Sequence, residues 1–123
     1  MKYDAHNIFA RLLREELPCR KVCEGPHYLA FHDLHPQAPV HVLVIPRGPY
    51  SNATVFHEQA LSEEILGFYQ GLADTIKFLS LKKGYRLISN TGPDANQEVS
   101  HFHVHILAGK PLGPLLAGVD SSC

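Results

Sequence analysis

Apolar residues along the chain recur with two different periods, and the change from one to the other divides it into elements. Ile8, Phe9, Leu12 and Leu13 follow Asn7, a good N-cap, at helical spacing, and Pro18 forbids continuation, so the pattern predicts a short amphipathic helix over 8–15. Residues 22–24 and 28–32 alternate instead, around Gly25-Pro26, and read as two short strands joined by a turn. The β-branched run 40–45 lies between the rigid loop His35-Pro36-Gln37-Ala38-Pro39 and Pro46, which predicts a third strand. Period two places His41 on one face with Leu43 and Ile45. From about 59 to 79, Leu61, Ile65, Phe68, Leu72, Ile76 and Leu79 recur at intervals of three and four, the stripe of one long helix. Gly84 ends it; 85–89 predicts a strand, 90–96 a loop and 101–107 a final strand. Strands that are mostly sequential neighbours favour an α+β fold over a parallel wound one. The expectation is an antiparallel sheet of about five strands, covered by the long helix and the short N-terminal one. The tail 110–123, with Pro111, Gly113 and Pro114, is predicted to be irregular.

Length and composition narrow this picture. At 123 residues the chain fits one domain, 1–123, and 45% apolar with 19% charged residues is the balance of a folding chain. A net charge of −1 and a pI near 6.7 offer no general attraction for a polynucleotide, so any bound phosphate needs a local site. No apolar stretch approaches the ~20 residues of a membrane span, and residues 1–9 are too polar for a secretory signal, so a cytoplasmic location without membrane attachment is expected. Cys19 and Cys23 stand four apart with no second pair, and Cys123 leaves an odd count, the pattern of reduced thiols rather than zinc ligands. Asn52-Ala53-Thr54 matches a glycosylation sequon, a three-residue pattern that recurs by chance.

The segment His101-Phe102-His103-Val104-His105 carries the chemistry. Strand alternation sends three imidazoles to one face and Phe102, Val104 and Ile106 to the other. Crowding three groups that titrate near neutrality is costly without a function. One use is metal binding, but the outer pair would stand ~13 Å apart along a strand, so all three cannot easily meet on one ion with bonds of ~2 Å. The other is phosphate chemistry, in which one imidazole attacks phosphorus while its neighbours serve the nonbridging oxygens and the leaving group.

Phe31-His32-Asp33, the run Pro36-Gln37-Ala38-Pro39-Val40-His41 with 43–46, Gly84-Tyr85-Arg86, Asn90, the segment 97–105 and the ending 107–113 occur together in this order. Over nearly its whole length the chain thereby resembles the histidine triad family, specifically the branch of purine nucleoside phosphoramidases. The resemblance implies cleavage of P–N bonds in purine nucleotide conjugates through a nucleotidyl-histidine on the middle residue, His103. It makes His105 and His41 partners of phosphate and leaving group, and His101 an orienting or proton-relaying residue. Neighbouring imidazoles raise the cost of a second positive charge, which favours the unprotonated ring that a nucleophile needs.

The resemblance further implies that Ile8, Phe9, Leu12, Phe31 and Leu43 line the nucleobase slot, that Asp33 accepts from the ribose hydroxyls, and that Asn90 and Gln97 belong to the phosphate site. Glu98 departs from the serine found in several relatives; an ionised carboxylate cannot donate to a bridging atom, so its backbone amide is expected to bind instead. Asn7 and Ala10 stand where some branches carry a zinc-binding cysteine pair, so neither structural metal nor cofactor is expected. His6, His27, His32, His35 and His57 read as solvated or loop histidines. The family forms homodimers, which sets the expected assembly. Two other readings use the same strand: dinucleoside polyphosphate hydrolysis, and a nucleotide-sensing or partner-binding module with incidental turnover. A plain zinc-binding protein is a third.

Overall fold

A computed structural model describes residues 2–118. Helix α1 spans Ile8–Leu13, and the Asn7 side chain caps it by accepting from the Ala10 amide at 2.9 Å. It ends two residues earlier than its apolar spacing predicts, because the chain turns left-handed at Glu15 (φ 61°). Strands β1 (Lys21–Gly25) and β2 (Tyr28–His32) form the expected antiparallel hairpin, and β3 (Val40–Ile45) pairs antiparallel with β2.

The long helix predicted over 59–79 is α3 (Ser62–Leu79), and a second, shorter helix that the periodicity does not announce, α2 (Ala53–Gln59), precedes it. Asn52 starts α2 by accepting from the Val55 amide, while Ala60 and Leu61 adopt extended backbone between the two. Glu64 then reaches back to the Leu61 amide at 3.1 Å, satisfying a donor that the new helix start would orphan. Helix α2 carries only Val55 and Phe56 as large apolar residues, too few to set a period, so periodicity alone does not show it.

Strands β4 (Arg86–Ile88) and β5 (Val104–Ala108) complete a five-stranded sheet of order β1-β2-β3-β5-β4 in which every neighbour is antiparallel. The final strand therefore begins at Val104, three residues later than expected. Its partner β3 ends at Ile45, and Pro46 has no N–H with which to continue the ladder. The Phe102 amide instead donates to the Tyr50 carbonyl at 2.7 Å.

The sheet has two unlike faces. Tyr28, Ala30, Val42, Val44, Val104 and Ile106 point to one, where Phe56 of α2, Phe68 and Leu72 of α3, and Phe102 close a buried core. Phe56 stacks on Phe102 at 4.9 Å and meets Phe68 edge-on at 5.2 Å. Backbone and ring approach closely here: a Cβ on Gly71 would stand 2.2 Å from the Tyr28 ring. Phe9, Leu29, Phe31, Leu43 and Ile45 form a smaller cluster on the other face, beneath α1. Residues 111–118 hold no helix or strand, and Arg86 anchors the tail by donating to the Gly113 carbonyl at 2.7 Å. The rest of the expected irregular tail, with Cys123, lies outside the described residues. None of the described helices is long and apolar enough to cross a membrane.

Candidate active site

Alternation holds across residues 101–105 even where the β-ladder does not. Phe102 and Val104 enter the core under α2 and α3, whereas the His101 and His103 rings meet Phe9 edge-on from the opposite face, at 6.3 and 5.0 Å. The His105 ring lies 5.1 Å from His103 and 5.2 Å from His41. Position is fixed from behind by the Phe102 amide on Tyr50, whose hydroxyl in turn donates to Glu64 at 2.8 Å. Four imidazoles thus gather on the face under α1.

Hydrogen bonds settle where each ring carries its proton. A peptide carbonyl can only accept, so the 2.7 Å contact of His103 Nδ1 with the His101 carbonyl places the proton on Nδ1, leaving Nε2 with a bare lone pair in the neutral ring. His101 donates from Nε2 to the Pro46 carbonyl at 2.9 Å, and its Nδ1 accepts from the Tyr3 hydroxyl at 2.5 Å. That hydroxyl accepts from the Asn7 side-chain amide at 2.9 Å, so the residue that caps α1 also steadies the histidine cluster. His41 Nδ1 accepts from the Gln37 amide at 3.0 Å; its Nε2–H then faces His105 Nδ1 at 2.9 Å and Asp33 Oδ2 at 3.4 Å. His105, accepting on Nδ1, keeps its own proton on Nε2.

Burial holds all four rings neutral. It lowers the pKa of His101 to about 4, against a smaller opposing pull from the Pro46 bond. Burial also brings His105 to about 4, reinforced by repulsion from His103 and His41. His103 is lowered by burial, partly offset by its bond to the His101 carbonyl and by attraction from Asp33 and Glu98. For His41 burial again outweighs Asp33.

The rings border a cleft of about 560 Å³. Ile8, Phe9, Leu12, Phe31 and Leu43 line its apolar part, while Asp33, Asn90, Glu98, His103 and His105 line its polar part. His41 and His101 stand behind that lining, 4% and 0% exposed, touching it through His105, Asp33 and His103. Gln97 is turned into its loop: its side chain accepts from the Gly92 amide and donates to the Ser51 and Val99 carbonyls, so it shapes the 90–99 segment without lining the cleft. His32 and His35, which read as loop histidines, do line it. So do Leu17, Pro18, Cys19 and Val99, whose place no local pattern announces. Tyr3 carries no periodic or motif signal for its bond to His101, and Gln37, though inside the 36–41 motif, meets His41 through its backbone amide, which no residue type announces.

Asp33, His41 and His105 are a grouping that can offer one ligand atom each to a metal, all within 4.8 Å of one another. The two nitrogens stand 2.9 Å apart, the length of an N–H···N bond. Two nitrogens on one zinc at bonds of ~2 Å and tetrahedral angles would stand ~3.3 Å apart, so the arrangement is that of a hydrogen-bonded pair.

Comparison with known proteins gives the same direction throughout. A HIT domain model matches residues 14–112. An uncharacterized HIT-like protein of Azospirillum brasilense is 49% identical over 115 residues, covering 93% of this chain and 94% of its own. The purine nucleoside phosphoramidase of Escherichia coli is 39% identical over 118 residues, with 89% of this chain and 92% of its own covered. Among solved structures, a HIT family hydrolase from Clostridium thermocellum superposes with a TM-score of 0.80 at 34% identity, covering 89% of this chain and 95% of that one. A histidine triad protein from Clostridium difficile gives 0.78 at 35% identity, covering 93% and 98%.

Proposed function

The chain belongs to the HIT domain family of nucleotide-binding hydrolases, and from that premise we propose that it is a purine nucleoside phosphoramidase working through a nucleotidyl intermediate on His103. The observation that carries this reading is the bond from His103 Nδ1 to the His101 carbonyl, which aims an unprotonated Nε2 at the cleft. That lone pair forms an N–P bond while the P–N bond to the departing amine breaks, its electron pair staying on the amine nitrogen. The amine takes up one proton from solvent in the cleft, and His105 directs its Nε2–H to the leaving atom. Water then attacks phosphorus: its hydroxyl becomes part of the monophosphate, its proton returns to solvent, and the N–P bond releases its pair to His103. Phe9, Phe31 and Leu43 would hold the base and Asp33 the ribose diol.

The purine nucleoside phosphoramidase from Escherichia coli supports the P–N substrate class for this chain. The test is release of adenosine monophosphate from an adenosine 5′-phosphoramidate. Wild type is expected to turn over and His103→Ala to lose at least about a thousandfold in kcat; an undiminished rate in the variant removes His103 from the nucleophile role. The proposed enzyme is a single 1–123 domain, cytoplasmic and homodimeric; light scattering of the purified chain measures the last of these.

A further inference from the structure

The cleft restricts the leaving group by charge. Among the described residues its lining contains two carboxylates, Asp33 and Glu98, and no lysine or arginine. The imidazoles supply no fixed positive charge either, because burial holds His103 and His105 below histidine's ordinary value. Asp33 is engaged: its Oδ1 accepts from the His35 amide at 2.8 Å and its Oδ2 faces His41 at 3.4 Å. Glu98 differs. It is exposed on the cleft wall, it shares that wall with Asn90 and Asn96, and among the described residues it forms no ion pair or side-chain hydrogen bond. Its carboxylate nevertheless lies near enough to the His103 ring to attract a proton there. A carboxylate without a partner therefore stands on the wall of the cleft that also holds His103 and His105.

We propose that Glu98 selects the leaving group, favouring phosphoramidates whose departing amine carries a second, cationic group and disfavouring polyphosphates. The inference rests on the reading of His103 as nucleophile and adds to it the chemical class of the amine. A nucleoside phosphoramidate brings one negative charge, which neutral N–H donors can accommodate. A polyphosphate chain brings several, past a carboxylate and with no cation to meet them. An ammonium carried by the departing amine and reaching this wall finds a partner in Glu98 that costs little desolvation, since that carboxylate is already in water.

The experiment compares two adenosine phosphoramidates of equal length in the presence of a chelator: one made from a diamine, leaving a free terminal ammonium, and one from the matching hydroxyalkylamine. Wild type is expected to favour the cationic substrate by about fivefold in kcat/KM at low salt, the size of an exposed charge pair, with the preference shrinking as salt is raised. Glu98→Gln is expected to remove the preference and Glu98→Lys to reverse it, while raising the rate on a dinucleoside polyphosphate relative to the phosphoramidates. Turnover of both phosphoramidates by wild type with the same ratio in all three proteins overturns the role of Glu98 and leaves the nucleophile intact. Hydrolysis of neither overturns the P–N reading, and the selector with it.

Discussion

The two faces of the sheet are built from alternate residues of the same strands, and they solve opposite problems. On the face under α2 and α3, Phe102, Val104 and Ile106 meet Phe56, Phe68 and Val42 in an apolar core that needs only shape. On the other, His101 and His103 put polar rings into equally deep burial and His105 a half-buried one, and each is accommodated by a named partner: Pro46, the His101 carbonyl and His41. Among the described residues no buried side-chain nitrogen or oxygen lacks a hydrogen bond. One face thus stabilises by area, and the other keeps reactive groups neutral and aimed, using stability that the first provides.

That division can be broken from either side. Phe68→Ala, on the apolar face, is expected to cost about 3–5 kcal/mol of folding stability in denaturant titrations while the folded fraction keeps its kcat. His105→Ala should do the reverse, lowering kcat by about a hundredfold or more with a much smaller shift in the midpoint. Equal effects of both on stability and turnover would erase the distinction.

Acid sharpens it next. The unfolded chain protonates a histidine near 6.5, whereas His101 in the fold resists until about 4. The unfolded state therefore binds the proton first, so stability is full above pH 6.5, falls as pH drops toward 4 and levels off below. His101 alone is expected to contribute about 2–3 kcal/mol to that fall, and His101→Phe should flatten it in unfolding curves recorded from pH 7 to 4.

The smallest expected effect is at the rim of the polar face. Tyr3→Phe removes the donor to His101 Nδ1 and should cost about 1 kcal/mol of stability. It should also move the acid limb of the kcat profile, which loss of bulk alone would not do. An unchanged profile would make Tyr3 a packing residue.

Much of this was legible because periodicity is local. Alternation in 101–105 separates histidines from core residues, and in 40–45 it puts His41 with Leu43, whichever residue the ladder starts from. Helix α2 was not legible, since its seven residues carry only two large apolar side chains and it starts on the Asn52 cap, while Glu64 separately caps the helix that was. The late start of β5 follows from Pro46 just past the end of β3, nearly sixty residues earlier in sequence. Leu17, Cys19 and Val99 reach the cleft only because α1 folds back over β2 and the 90–99 loop, and Tyr3 meets His101 for the same reason. Gln97 shows the converse: the residue is where the motif requires it, but its side chain is spent on its own loop.

The central claim is that His103 Nε2 is a lone pair free to bond to phosphorus. Quenching wild-type turnover of an adenosine phosphoramidate within milliseconds, digesting the protein and fragmenting the peptide that contains residues 101–105 tests it directly. The account predicts the mass of an adenylyl group on His103 and on no neighbouring ring; an adduct on His101 or His105, or turnover with no adduct at any time point, would contradict it.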